Sequence, residues 1–122
     1  MPSGRVQPSA DDFLPLRPVE TLILTMLTAG DRHGYGLRQD ILDHTSGSLA
    51  LEAGNLYRHV RRLEASGCLA ESVRRPIHQD DERRIYYCLT PFGRKVLAAE
   101  MLRLRSLVRL AEERRVISPL RA

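Results

Sequence analysis

Residues 54–67 read GNLYRHVRRLEASG, three arginines and a histidine packed beside well-spaced apolar residues. At 100° per residue, Leu56, Val60 and Leu63 fall within about 60° of one another, a narrow core stripe. Asn55, Arg58, His59, Arg61 and Arg62 spread over roughly 160° on the opposite side. Gly67 suits the position just past a helix end. The stretch therefore predicts an amphipathic helix with a cationic outer face. Alone, such a face is ordinarily a solvated one, so the surrounding elements have to decide whether it meets a polyanion.

On the N-terminal side, Pro18 suits the first position of a helix, and VETLILTMLTAG (19–30) predicts a short, largely buried helix that stops at Gly30. Asp31, Arg32 and His33 form a tight link. Gly34 to about Thr45 is a second helix with Leu37, Ile41 and Leu42 on one face, ended by Ser46-Gly47-Ser48. Before all of this, Pro2, Pro8, Pro15 and Pro18 stand among small polar residues, which reads as a mobile arm.

On the C-terminal side, CLAESV (68–73) and IYYCL (85–89) are short apolar runs, and Ile85, Tyr87 and Leu89 alternate with Tyr86 and Cys88. The connector RRPIHQDDERR is polar, so the pair reads as a β-hairpin with a charged tip. Thr90-Pro91 is an N-cap followed by a proline at the first helical position. The helix can then run to about Arg115, before Ser118-Pro119. Leu97, Met101, Leu104, Val108 and Ala111 fall at the alternating spacing of a coiled-coil seam. Val96, Leu102, Leu107 and Leu110 widen it, and a partner helix is the natural cover for so long a stripe.

Three helices, a hairpin and a projecting helix define a mainly α (α+β) fold, a winged helix-turn-helix with a C-terminal dimerisation helix. The expected division is an arm over 1–17, the winged helix-turn-helix over 18–90, the dimerisation helix over 91–117 and a tail over 118–122.

A chain of 122 residues suits one domain with one core. Its net charge divides unevenly: −3 over residues 1–54, +2 over 55–90 and +5 over 91–122. That basic second half permits phosphate neutralisation. No apolar run approaches a bilayer span and the N-terminus lacks the apolar core of a signal peptide. With Cys68 and Cys88 alone, a reducing cytoplasm is expected. His33, His44, His59 and His78 have neither an i, i+4 pair nor a carboxylate at ligand spacing, so neither a metal nor another cofactor is expected. There is no Gly-rich phosphate loop and no nucleophile–base arrangement, which argues against an enzyme.

In a winged helix the basic helix enters the major groove, where Arg bonds guanine and Asn bonds adenine. Asn55, Arg58 and Arg61 are then the candidate base readers, Tyr57 and Arg62 the candidate phosphate contacts, and His59 could be either. Arg74, Arg75, Arg83 and Arg84 would line the wing. Their alternative is ion pairing with Asp80, Asp81 or Glu82. Gly34 and Gly36 allow close helix packing, with Tyr35 filling the core. Cys68 reads as a small core residue and Cys88 as its possible neighbour across the hairpin.

Three ordered motifs resemble the PadR family of bacterial transcriptional regulators. His33-Gly34-Tyr35-Gly36 is similar to the turn after that family's first helix. Gly54-Asn55-Leu56-Tyr57 with Arg62-Leu63-Glu64 resembles its recognition helix, and Arg83-Arg84-Ile85-Tyr86-Tyr87-Cys88-Leu89-Thr90 its returning wing strand. The resemblance covers about residues 14–115 and matches short-tailed members with a single C-terminal helix. Asn55 replaces the usual Ser or Thr, so the cap or phosphate contact there must come from an amide, and Cys88 replaces a common arginine. The resemblance implies a homodimeric repressor of double-stranded DNA with a near-palindromic operator. It also implies relief by a small aromatic or drug-like effector at the dimer interface. The alternative is a winged-helix protein-interaction module without DNA binding. A basic C-terminal helix lying on an acidic membrane surface is disfavoured by its heptad spacing.

Overall fold

The structure, a computed structural model, describes residues 9–72 and 84–120. Its elements are α1 (Pro18–Leu27), β1 (Arg32–His33), α2 (Gly34–His44), α3 (Ala53–Ala65), β2 (Leu69–Glu71), β3 (Tyr86–Leu89) and α4 (Pro91–Glu113). A single 3-10 turn, Ala10–Phe13, precedes them. The expected fold class holds: a winged helix-turn-helix with a long C-terminal helix.

Each helix begins and ends where its local chemistry allows. Pro18 occupies the first turn of α1. The His33 side chain caps α2, Nδ1 accepting from Gly36 N–H at 3.0 Å. At the end of α3, Gly67 adopts a φ of 81°, and Cys68 N–H donates to Leu63 C=O at 2.8 Å, a Schellman closure. Thr90 caps α4 by accepting from Gly93 N–H at 2.9 Å, and its own hydroxyl donates to Gly67 C=O at 2.5 Å. One threonine thus ties the end of α3 to the start of α4. A Cβ at Gly93 would collide with the Cys68 carbonyl, so only glycine permits this approach.

The sheet is antiparallel, in the order β1-β3-β2. The link read as Asp31-Arg32-His33 therefore contains a third strand, Arg32 opposite Tyr87 and His33 opposite Tyr86. Strand β3 starts one residue later than expected: Ile85 is exposed, whereas Tyr87 is buried. Cys88 pairs with Ala70, and Leu69 with Leu89. Cys68 lies one step beyond this ladder, its carbonyl accepting from Thr90 N–H at 3.2 Å. The two cysteines are thus not cross-strand partners. Burial pushes both thiols above their ordinary range, away from thiolate chemistry.

The core gathers Ile23, Leu24, Leu37, Ile41, Leu56 and Val60 around α1, with Leu69, Tyr87, Val96 and Leu97 from the sheet and α4. Of residues 9–17, read as part of a mobile arm, Ala10, Phe13, Leu14 and Leu16 pack against the core. Phe13 meets Phe92 edge to face at 5.5 Å, and Leu16 is buried. Glu100 on α4 is buried as well, held by Arg103 at 2.7 and 2.8 Å. The Arg103 hydrogen bond, with a further one from the backbone of Leu16, keeps the Glu100 carboxyl below its ordinary range despite burial. The Phe13–Phe92 contact and the burial of Leu16 fasten the segment to the body of the domain. Residues 1–8, the hairpin tip with Asp80, Asp81 and Glu82, and His78 lie outside the described residues.

Candidate nucleic-acid interface

Helix α3 buries Leu56, Val60 and Leu63 and turns Asn55, Tyr57, Arg58, Arg61 and Arg62 outward. The stripe is the one expected from the spacing, whereas His59, expected on the opposing face, turns inward. The rotation of the helix is set by a residue that sequence reading passed over. Glu20, on α1, is only 3% exposed, and its Oε2 lies 2.8 Å from His59 Nδ1 and 3.0 Å from Arg62 Nε. A buried carboxylate is costly unless paired, so α3 can pack only in the rotation that presents both partners. The one acidic residue inside the apolar run VETLILTML was the signal.

This pairing separates the candidates. His59 is mostly buried and faces inward, whereas Arg62 keeps about half of its side chain exposed. Arg58, Arg61 and Asn55 are exposed, and among the described residues none of them has a side-chain hydrogen bond or ion pair. Three polar side chains on successive turns of one face are therefore available to an external ligand. Tyr57 lies over Gly34: a Cβ there would stand 2.5 Å from the Tyr57 hydroxyl. Glycine at 34 is the seat of that ring, which fixes α2 against α3 as expected.

Tyr35 corrects an expectation. It is 56% exposed and fills no core. The neighbouring glycines explain why: Gly34 and Gly36 occupy the buried side of this turn, and Tyr35 is left on the outside. Its ring stacks near His33 at 6.3 Å, and the Arg84 guanidinium lies 5.7 Å above it. Arg84 Nη1 also stands 3.1 Å from His33 Nε2. The wing's returning strand and the start of α2 thus form one basic, aromatic corner. Burial, then Arg84 and Arg32, hold the His33 imidazole below its ordinary value of 6.5. Neutral His33 keeps Nδ1 free to cap α2. Arg32 is itself clamped by Asp40 through contacts of 2.7 and 2.9 Å, and Arg38 Nε donates to Leu51 C=O at 2.9 Å across the α2–α3 turn. Of the other wing candidates, Arg74, Arg75 and Arg83 lie outside the described residues.

The seam expected on α4 is divided. Leu97 is only 7% exposed, and Val96 is fully buried; both belong to the hydrophobic core of the chain itself. Past Glu100 the helix leaves the domain, and Met101, Leu102, Leu107, Val108 and Leu110 are exposed, with Leu104 and Ala111 half-buried. No described helix is long and apolar enough to cross a membrane, and no group of three or more metal-ligating side chains gathers among the described residues.

Residues 23–99 match the Transcriptional regulator PadR-like family. That is more than half of the chain, which therefore belongs to this family. A protein described as uncharacterized, from Lysinibacillus sphaericus, is 29% identical over 80 residues, spanning 66% of this chain and 72% of that protein. A transcriptional regulator from Clostridium thermocellum has the same fold, with a TM-score of 0.67, 25% identity and coverage of 88% of this chain and 97% of the other. A PadR family transcription regulator from Clostridium difficile superposes with a TM-score of 0.64 at 21% identity, over 78% and 95% of the two chains.

Proposed function

We propose that this chain is a sequence-specific DNA-binding regulator that acts as a homodimeric repressor. The observation that carries the reading is the exposed trio Asn55, Arg58 and Arg61, without side-chain partners among the described residues, on a helix whose rotation Glu20 sets. In a major groove, arginine reads guanine O6/N7 and asparagine reads adenine. These three are assigned to bases, and Arg62 and Tyr57 to phosphates. His59 is assigned to positioning rather than contact. Arg84 is assigned to the backbone beside the groove, together with Arg74, Arg75 and Arg83, which the sequence expects there.

The dimer reading is supported by α4. Its distal apolar residues have no cover among the described residues, and a two-fold mate would remove them from water at about 25 cal/mol per Å². The working seam is Met101, Leu104, Val108 and Ala111, because Leu97 is already used within its own core. A two-fold dimer should prefer a near-palindromic operator with half-sites about one helical turn apart. Relief by a small-molecule effector and residence in the cytoplasm complete the proposal.

The experiment is a mobility shift with DNA from upstream of the chain's own gene against unrelated DNA of equal length. Retardation of the upstream fragment at protein concentrations that leave unrelated DNA free supports the proposal. Failure to shift either fragment would instead favour a protein-interaction module.

A further inference from the structure

Both ring nitrogens of His33 face a hydrogen-bond donor. Nδ1 lies 3.0 Å from the Gly36 amide at the start of α2, and Nε2 lies 3.1 Å from Nη1 of Arg84. Neither neighbour can accept: a backbone N–H has no lone pair to offer, and neither has a guanidinium. A neutral imidazole carries one lone pair and one N–H. Whichever nitrogen holds the proton, the donor facing it is left without an acceptor there.

The surroundings keep the ring in this position. His33 stands opposite Tyr86 in the sheet, whose ring meets it edge-on at 5.1 Å, and Tyr35 stacks at 6.3 Å. Arg84 also lies over Tyr35 and makes a further contact. His33 therefore governs where this guanidinium sits, not whether it is free.

The charged groups facing the ring are Arg32 on β1, Asp40 on α2 and Arg84 just before β3. Arg61 and Glu64 of α3 and Glu71 of β2 line the same cleft. Burial, then Arg84 and Arg32, hold the imidazole below its ordinary range. Asp40, already engaged by Arg32, offsets them only in part.

We infer that His33 is a positioning residue for the wing arginine: its single lone pair passes between the Gly36 amide and the Arg84 guanidinium, and protonation withdraws it from both. In the Nε2–H form α2 is capped and Arg84 faces a donor. In the Nδ1–H form Arg84 is held and the cap is given up. The imidazolium has no lone pair, so acid releases the cap and sets two cations 3.1 Å apart. The consequence for DNA rests on the proposed function, in which Arg84 contacts the backbone. Acid should then loosen DNA binding through this pair, although added positive charge ordinarily strengthens the hold on a polyanion.

Nitrogen-15 NMR of the imidazole in the full chain, without DNA, reports which nitrogen carries the proton. The wild-type ring should show both neutral forms in exchange. Arg84→Ala should move it toward Nε2–H and raise its titration midpoint, since a repelling charge is gone. Solvent exchange of the Gly36 amide should slow in the same variant. The DNA arm compares affinities from about pH 8 to about pH 5. Wild-type affinity should fall about fivefold relative to His33→Asn, which caps α2 but takes up no proton. That difference should vanish when both chains carry Arg84→Ala. A tautomer and midpoint that Arg84→Ala leaves unchanged would overturn the inference, as would parallel pH profiles in wild type and His33→Asn. The tautomer shift without DNA binding at any pH would support the lone-pair inference and sink the DNA reading alone.

Discussion

Oε2 of Glu20 lies 2.8 Å from Nδ1 of His59, so a buried carboxylate of α1 holds the inner flank of α3. The same oxygen reaches Arg62 Nε at 3.0 Å. Two partners three residues apart on one helix resist both rotation and sliding. The outward aim of Arg58 and Arg61 is therefore a consequence of a contact made on the opposite side.

Glu20→Ala should lower stability by about 1–3 kcal/mol, the usual cost of stripping partners from buried polar groups. It should also weaken specific DNA binding, although Glu20 faces the interior. Denaturant unfolding measures the first effect and a binding titration the second. Full affinity in a destabilised variant would show that Glu20 is structural only.

The neutral state of His33 gives a pH dependence with a definite sign. Its folded value lies below 6.5, so the unfolded chain takes up the proton more readily. Stability is then retained above about pH 6.5 and falls as pH drops through the folded value. Protonation would also remove the Nδ1 lone pair that caps α2. His33→Asn, which can still cap, should flatten this acid limb. An imidazole titration midpoint at or above 6.5 in the wild-type protein would reverse the sign.

Arg84→Ala should weaken binding to all DNA sequences alike. It should also reduce the slope of log affinity against log salt by about one phosphate's worth. A salt series on two unrelated sequences checks both points. An unchanged slope would confine Arg84 to its contacts with Tyr35 and His33.

The dimer reading predicts that Asp at both Met101 and Leu104 yields folded monomers, since unpaired charge at a buried seam costs several kcal/mol. Those monomers should lose tight operator binding, because one half-site alone binds weakly. Sedimentation of the double variant as a dimer would remove α4 from the interface.

Where a periodic stripe determined an element, the sequence was sufficient. Leu56, Val60 and Leu63 set the inner face of α3, and Thr90-Pro91 and Gly67 marked helix ends that the structure reproduces. What escaped depended on contacts distant in the chain. Strand β1 is only two residues long and exists because Tyr86 and Tyr87 lie beside it. Leu97 fits a heptad as well as a domain core, and only the position of α4 against α1 decides between them. Tyr35 carries an aromatic signature of burial, yet the two flanking glycines take the inner side of the turn. The role of Glu20 needed residues 39 and 42 positions away.

The measurement that bears most directly on DNA recognition compares Arg58→Ala and Arg61→Ala with the wild-type chain on its specific site and on random DNA. Each substitution should cost about 1–3 kcal/mol on the specific site and much less on random DNA. Equal losses on both would reduce these arginines to phosphate contacts. Unchanged affinity on both would contradict the placement of α3 in the major groove.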